Sequence, residues 1–148
     1  MLCVALNCLL ITASMLNFGR LEKLKFNTFS DARGDLSVFE LEDQVEWKVE
    51  RAYWCTNTKL ERGGHSVRGE KKFYICLSGE IKARFHDGKE WQEFVLKGPD
   101  EAIVMEGDYY REFYDFSDNS VLLALSSKKY VTADYIYDFE AFLKEAKG

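Results

Sequence analysis

The sequence has few of the residues that usually mark a metal site or a disulfide framework. Its 148 residues include two histidines and one proline, and its four cysteines form no C-x-x-C pair. Two of these cysteines, Cys55 and Cys76, lie in apolar strand-like runs, which indicates reduced, buried thiols. Reduced thiols in turn predict a cytoplasmic protein.

Basic charge is also scarce. The 20 Lys and Arg residues are outnumbered by 25 Asp and Glu residues, so the formal net charge is -5. Such a chain has no general attraction to a polyanion, and we expect no nucleic acid partner. Aromatic residues are abundant instead, with 11 Phe, 8 Tyr and 3 Trp, and this abundance favours a packed, strand-rich globule.

Long apolar runs are missing apart from residues 1–14, MLCVALNCLLITAS. This run is too short to span a bilayer and has no basic region at its start, and a charged RLEKLK segment follows it. We therefore predict neither a membrane partner nor a signal peptide. A start set wrongly upstream of Met15 and a genuine extension both remain open. We expect an uncertain N-terminal extension over residues 1–21 and a single domain over residues 22–148.

Beyond Lys25, short runs of β-forming residues alternate with turn sequences such as HDGKE, KGPD and SDNS. The turns recur about every 8 to 12 residues, and this spacing is typical of a sandwich or barrel. Strands are predicted over residues 36–41, 46–54, 71–77, 80–85, 91–96, 101–105, 111–116 and 120–126. The pattern predicts an all-β fold, an antiparallel jelly-roll barrel.

The C-terminal residues change to a helical period. The apolar residues at this spacing are Tyr135, Ile136, Phe139, Phe142 and Leu143. Thr132 is available as the N-cap, and Lys144 and Lys147 lie near the predicted end. We therefore predict one amphipathic C-terminal α-helix whose aromatic stripe packs against the core.

The stretch RGGHSVRG, residues 62–69, places His65 after two glycines and before a serine. Imidazole can take and return a proton near neutral pH, although a histidine here can also be a plain turn residue. A histidine just before a strand, with a glycine turn after it, is typical of the cupin barrel. Metal-binding cupins need several converging ligands, but Val67 stands where a second imidazole would lie, and His86 is in a turn. We expect no metal site.

Five segments, taken in order, resemble the cupin-fold dTDP-4-keto-6-deoxyhexose 3,4-ketoisomerases, the FdtA, QdtA and WxcM-like enzymes. The segments are DARGDLSVFE (31–40), VERAYW (49–54), RGGHSVRGEKKFYICLSGEIKARFHDG (62–88), YYREFYDFSDNSVLLALSSKKY (109–130) and ADYIYDFEAFLKEA (133–146). The resemblance implies a double-stranded β-helix barrel that moves a ketone between C4 and C3 of a nucleotide-linked sugar. It also implies a reaction without metal or cofactor, in deoxysugar and surface polysaccharide biosynthesis, and a homodimer that exchanges N-terminal strands.

The resemblance also assigns roles to individual residues. In the family pattern R-G-x-H-x-H-K, the first histidine is the principal base at the sugar, and His65 matches it. Tyr53 matches a tyrosine near the sugar, so His65 and Tyr53 are the implied catalytic residues. The implied substrate-binding residues are Arg33, Arg62, Arg68, Tyr110 and Arg111. Among these, Arg68 replaces a lysine, Tyr110 replaces a tryptophan, and Arg111 occupies a position that varies with product stereochemistry.

Two departures from the family pattern bear on the reaction. Val67 replaces the second histidine and Lys72 replaces a glutamine, so the second proton transfer has no second histidine to perform it. One base near neutral pKa can instead perform both transfers if it lies on the right face of the sugar. Arg62, Arg68, Lys71 and Lys72 form a local basic run that can meet a diphosphate, or else an ordinary solvated loop. Two alternatives to a ketoisomerase remain open: a non-catalytic cupin that binds a nucleotide sugar, and an isomerase or epimerase of another keto sugar.

Overall fold

The computed structural model describes residues 15–148, and the expectations for residues 1–14 lie outside this range. The strands in chain order are β1 Phe18–Lys25, β2 Asn27–Asp31, β3 Gly34–Val38, β4 Arg51–Thr56, β5 Arg62–Val67, β6 Lys71–Ser78, β7 Glu80–His86, β8 Trp91–Lys97, β9 Glu101–Gly107, β10 Tyr110–Tyr114, β11 Val121–Ser126 and β12 Tyr135–Ile136. One helix, α1 Phe139–Lys147, follows them. The predicted all-β barrel with one C-terminal helix is confirmed.

Two five-stranded antiparallel sheets form the barrel, with the orders β1-β9-β6-β11-β4 and β12-β5-β10-β7-β8. Their inner faces enclose an apolar core because side chains alternate along each strand. On β7, Ile81, Ala83 and Phe85 are all fully buried at alternate positions. Cys76 is also in this core, as predicted, and burial raises the pKa of its thiol to about 11.

Strands β2 and β3 form a separate two-stranded sheet. The side chains of Phe29 and Leu36, directly opposite each other in this hairpin, are 61% and 64% exposed. Phe39, just after β3, instead packs on the outer face of the first sheet, with its ring centroid 4.8 Å from that of Phe73. This packing ends the strand predicted over residues 36–41 at Val38.

Four strands of the barrel and hairpin were not predicted as strands: β1, β2, β5 and β12. Residues 18–21, assigned to the extension by sequence, are the first half of β1, and Leu16 before them is buried. The strand predicted over residues 46–54 begins only at Arg51. His65 lies within β5 rather than just before a strand, because β5 pairs with β10 in spite of its two glycines.

The C-terminal helix begins later than predicted. Thr132 starts a short 3-10 turn, Thr132–Asp134, and does not cap the helix. Tyr135 and Ile136 form β12 and pair with Val67 and Ser66 of β5, which keeps this backbone extended. The N-cap is Asp138, whose carboxylate accepts a hydrogen bond from the Ala141 amide at 2.7 Å.

The rest of the helix is as predicted. Phe142 is fully buried against the barrel, and Lys144 and Lys147 lie in the last turn. At 9 residues, α1 is too short to cross a bilayer, and no helix among residues 15–148 is both long and apolar enough to do so.

Candidate active site

A cavity of about 260 Å3 lies between β4 of the first sheet and β5 and β10 of the second. The side chains that line it include Tyr53, Arg62, His65, Tyr74, Arg111 and Phe113. It therefore brings together four of the seven residues that the sequence predicts for the site: Tyr53, Arg62, His65 and Arg111. This is the candidate active site.

A larger groove, of about 720 Å3, lies on the outside of the barrel, next to the start of β1 and the turn between β5 and β6. Its wall includes Asp108, whose carboxylate is already bound by the backbone amides of Asn17 and Gly69 at 2.8 and 2.7 Å. Neither His65 nor Tyr53 lines it. Size alone therefore does not make this groove the reactive site.

His65 is held by the unusual backbone of β5. Gly63 has a φ of +89°, and a Cβ at this position would lie 2.5 Å from the Arg111 carbonyl oxygen. Glycine therefore allows β5 to approach β10 closely, where His65 is directly opposite Arg111. The Gly63 carbonyl then lies 2.9 Å from His65 Nδ1. With its proton on Nδ1, the ring donates to this carbonyl and leaves Nε2 as a proton acceptor.

The surroundings of His65 keep its ring neutral. Burial is the main cause, and the Arg111 guanidinium adds to it, so that the pKa of His65 is lowered to about 4. At neutral pH the ring is therefore unprotonated, which is the form in which Nε2 can accept a proton. The rings of Tyr135 and Tyr137 flank it, with centroids 5.0 and 5.7 Å away. This aromatic wall was not predicted, because the helical period of the C-terminal residues placed Tyr135 in the helix.

A buried cluster of charges lies behind the cavity, centred on Glu70. The Glu70 carboxylate contacts Lys72 Nζ at 3.0 Å, Arg111 Nη2 at 3.1 Å and Arg51 Nη2 at 2.9 Å. It also accepts a hydrogen bond from the Ser126 hydroxyl at 2.6 Å. Burial opposes the charge of Glu70, but Lys72 and Arg111 outweigh it and hold the pKa of the carboxyl below its usual value.

Lys72 is part of this cluster and not part of a solvated loop, so that alternative was wrong for this residue. Its side chain is fully buried, because the alternation of β6 turns Lys72 to the same side as Tyr74 and Cys76. Burial, followed by the Arg111 charge, lowers the pKa of Lys72 to about 7. The period of β6 was the signal in the sequence that could have placed Lys72 inside.

Tyr53 connects the charge cluster to the cavity. Lys72 Nζ donates a hydrogen bond to Tyr53 Oη at 2.7 Å, and the tyrosine ring lines the cavity. Burial is the main cause that raises the pKa of Tyr53 to about 12, so the hydroxyl is protonated at neutral pH. The site therefore holds a neutral base and a protonated hydroxyl in one cavity.

Three predicted residues lie away from the cavity of this chain. Arg33 is at the turn of the β2–β3 hairpin, with a side chain 90% exposed, and it pairs with Asp31. The Arg68 guanidinium contacts the Glu145 carboxylate of α1 at 2.6 Å. Tyr110 is buried under the helix and donates a hydrogen bond from its hydroxyl to the Tyr137 carbonyl at 2.9 Å. Their roles in substrate binding stay predictions.

Val67 shares the face of β5 that carries His65 and is 2% exposed. Its side chain has no proton to transfer. Within residues 15–148, no group of three or more His, Cys, Asp and Glu side chains is arranged to hold a metal ion. The chemistry that the described residues can supply is proton transfer by His65 and stabilisation of negative charge by Tyr53 and Arg111.

The fold and this site define a cupin-type jelly-roll protein with a cavity between its two sheets that is lined by a histidine, tyrosines and arginines. The model of the family described as FdtA: WxcM-like, C-terminal matches residues 20–147. The chain belongs to this family, which confirms the resemblance noted in the sequence.

Known relatives agree with this assignment. The chain is 29% identical over 123 residues to the TDP-4-oxo-6-deoxy-alpha-D-glucose-3,4-oxoisomerase of Aneurinibacillus thermoaerophilus, a match that covers 82% of this chain and 88% of that enzyme. The QdtA 3,4-ketoisomerase of Thermoanaerobacterium thermosaccharolyticum, crystallised in complex with TDP, has a TM-score of 0.79 and 29% identity over 86% of this chain and 94% of its own. A 3,4-ketoisomerase of Helicobacter canadensis has a TM-score of 0.81 and 26% identity over 86% and 98%.

Proposed function

We propose that this protein is a TDP-sugar 3,4-ketoisomerase that acts on a TDP-4-keto-6-deoxyhexose in deoxysugar biosynthesis. The observation that carries the proposal is the cavity that His65, Tyr53 and Arg111 line together, with His65 Nδ1 2.9 Å from the Gly63 carbonyl. The names of the relatives support the substrate class: one is an oxoisomerase of TDP-4-oxo-6-deoxyglucose, and another was crystallised with TDP-4-keto-6-deoxyglucose.

The chemistry follows from these residues. His65 Nε2 removes the proton from C3, and the electron pair of that bond forms an enediolate with the charge at the C4 oxygen. The Tyr53 hydroxyl and the Arg111 guanidinium stabilise this developing negative charge in a site largely shielded from water. The protonated His65 then returns its proton to C4, the proton of the C3 hydroxyl passes to the C4 oxygen, and the ketone is left at C3.

Arg62 is the residue that we assign to the diphosphate, because its side chain is exposed and borders the cavity. A guanidinium binds phosphate oxygens in a bidentate manner, which suits this position. We retain Arg33, Arg68 and Tyr110 as predicted substrate-binding residues. Arg33 does not line the cavity of its own chain, so it can bind substrate only if its hairpin reaches another site.

We further propose that the protein is a homodimer. The exposed apolar side chains of the β2–β3 hairpin and of the outer strand β4 support a second copy as the partner, notably Phe29, Leu36 and Trp54, which are 61%, 64% and 66% exposed. Light scattering at micromolar concentration should give the mass of a dimer, and a monomer there would contradict this proposal.

We also propose a cytoplasmic location, in line with the reduced thiols of Cys55 and Cys76. Cell fractionation tests this location.

The reaction itself is tested by following TDP-4-keto-6-deoxyglucose by NMR in deuterated water. A ketoisomerase should replace the C3 hydrogen by deuterium and accumulate the 3-keto sugar. Saturable binding without exchange would instead indicate the non-catalytic sugar-binding protein. Exchange on a different keto sugar alone would indicate an isomerase or epimerase of another substrate.

A further inference from the structure

Lys72 is the most unusual side chain of the site, and the mechanism above does not use it. It is fully buried, its ammonium contacts Tyr53 Oη at 2.7 Å and the Glu70 carboxylate at 3.0 Å, and it does not line the cavity itself. The cavity-lining residue to which Lys72 is directly hydrogen-bonded is Tyr53.

The isomerisation needs two proton transfers, and only one of them has an assigned acid–base residue. Moving the ketone from C4 to C3 takes a proton from C3 to C4 and a second proton from the C3 oxygen to the C4 oxygen. His65 can carry the first proton, because one base on one face of the sugar can remove the proton from C3 and return it to C4. Val67, on the same face of β5, can carry nothing.

We infer that Tyr53 is the second acid–base residue of the reaction and that Lys72 is the positioning residue that holds its hydroxyl and exchanges protons with it. This inference rests on the proposed function. As His65 breaks the C3–H bond, Tyr53 gives its proton to the C4 oxygen and takes one from the Lys72 ammonium. As His65 protonates C4, the C3 hydroxyl returns a proton to Tyr53, and Tyr53 returns one to Lys72. Each group ends as it began, and nothing is oxidised or reduced other than the two sugar carbons.

The charge balance of the cluster argues that Lys72 has a function beyond stability. Glu70 is already paired with Arg111 and Arg51 and accepts a hydrogen bond from Ser126. Lys72 adds a third cation around one carboxylate, and burying an excess of like charge is unfavourable. Such an arrangement is typical of functional sites.

The surroundings also set the proton affinity of Lys72 in a useful range. The titratable and charged groups that face it are Arg51, Tyr53, His65, Glu70, Tyr74 and Arg111. Burial and the neighbouring cations hold the pKa of Lys72 at about 7 despite Glu70. An amine with that pKa exchanges protons readily at neutral pH.

The test compares the wild-type enzyme with Lys72→Met, a change that removes the amine and keeps the length of the side chain. We expect kcat to fall by about 100-fold, the lower end of what a positioned acid or base contributes, with KM changed little. The wild-type kcat should decline as pH rises through about 7, since a neutral Lys72 cannot supply a proton. The variant should lack this decline. Tyr53→Phe should lower kcat by a similar factor, and the double variant should be no slower than either single one.

Matched measurements separate the possible failures. Lys82→Met, at an exposed pair with Asp115, should behave as wild type. A Lys72→Met enzyme with wild-type turnover, or with a lower turnover but the same pH profile, would overturn the inference and leave the proposed function standing. If the wild type converts no keto sugar, the proposed function fails. In that case the coupling between Lys72 and Tyr53 is tested by NMR of protein labelled with 13C at tyrosine Cζ. The Tyr53 signal should shift near pH 7 only while Lys72 is present. A wild-type Tyr53 signal that does not shift there would overturn the Lys72–Tyr53 coupling.

Discussion

The two histidines of the chain lie in contrasting environments. His65 lines a cavity, its Nδ1 is engaged by the Gly63 carbonyl, and charged groups stand behind it. His86 lies instead in an aromatic cluster under α1, with ring centroids 4.9 Å from Trp91 and 5.2 Å from Phe139.

The comparison shows how environment decides what a histidine does. Burial lowers the pKa of both rings, so both are neutral at pH 7. Only His65 has a cavity beside it that a substrate can enter. His86 uses its Nδ1 to accept a hydrogen bond from the Gly88 amide at 2.9 Å and thereby stabilises a turn. We therefore propose His65 as the base, because its neutral imidazole lines the cavity together with Tyr53 and Arg111.

Among the substitutions that test the difference between His65 and His86, His65→Asn should have the largest effect. Asparagine keeps a polar group near the Gly63 carbonyl, so the fold and TDP affinity should remain, while deuterium exchange at C3 should fall by about 100- to 10,000-fold. NMR and calorimetric titration with TDP measure the two quantities. His86→Phe is the control, which should retain turnover. Wild-type exchange by His65→Asn would show that His65 is a turn residue.

The next effect concerns the charges behind His65. Glu70→Gln removes the one carboxylate that Lys72, Arg111 and Arg51 share. Because this leaves buried cations uncompensated, we expect the free energy of unfolding to fall by about 3–5 kcal/mol. Urea denaturation measures this fall. Asp115→Asn, at an exposed pair, should change it by less than about 1 kcal/mol. Equal effects of the two variants would contradict the account of the cluster.

A smaller effect is expected in the pH dependence of stability. The pKa of His65 is about 4 in the folded protein, against an ordinary value of 6.5 for a histidine in an unfolded chain. Between these values the unfolded chain binds more protons, so stability is lost as pH falls from about 6.5 through about 4. We expect this residue to lower the free energy of unfolding by about 1–2 kcal/mol. The full difference in pKa corresponds to roughly 3 kcal/mol, but the ring is only partly buried. The loss should be correspondingly smaller in His65→Asn, and an identical pH curve for both proteins would rule out the buried neutral ring.

The smallest effect is expected at Val67. Val67→His restores the second histidine of the family pattern, but Tyr53 and Lys72 already supply the second proton transfer in our proposal. We therefore expect kcat to change by less than about threefold, far below the factor of about 100 from a positioned acid or base. Val67→Leu controls for altered packing. A large gain in turnover would mean that the second transfer limits the wild-type enzyme and that Tyr53 does not perform it efficiently.

Most of the barrel could be predicted because its strands follow the period of two. The inward residues Ile81, Ala83 and Phe85 and the turns between strands are visible in the sequence. Strand β5 was missed because Gly63 and Gly64 have a low strand propensity, and pairing with β10 and β12 makes the segment extended. Tertiary pairing is not visible in a local pattern.

The site could be predicted in part for a related reason. Tyr53, His65 and Arg111 were found from the family pattern, but Glu70 and Lys72 were not, since charged residues close together usually lie on a solvated surface. The alternation of β6 decides the position of Lys72. Tyr135 and Tyr137 were missed because β12 interrupts the helical period just before α1.

The backbone of Gly63 also limits how this enzyme can evolve. Any other residue would need a strained φ and would push its Cβ into the Arg111 carbonyl, which lies 2.5 Å from that position. A change there would move His65 and Arg111 at the same time. In a library of random variants, position 63 should therefore accept almost no substitution among active clones, while the exposed and unstrained Glu61 two residues before it can vary. New substrate preferences would have to arise at neighbours such as Arg62, with the turn of the backbone left unchanged.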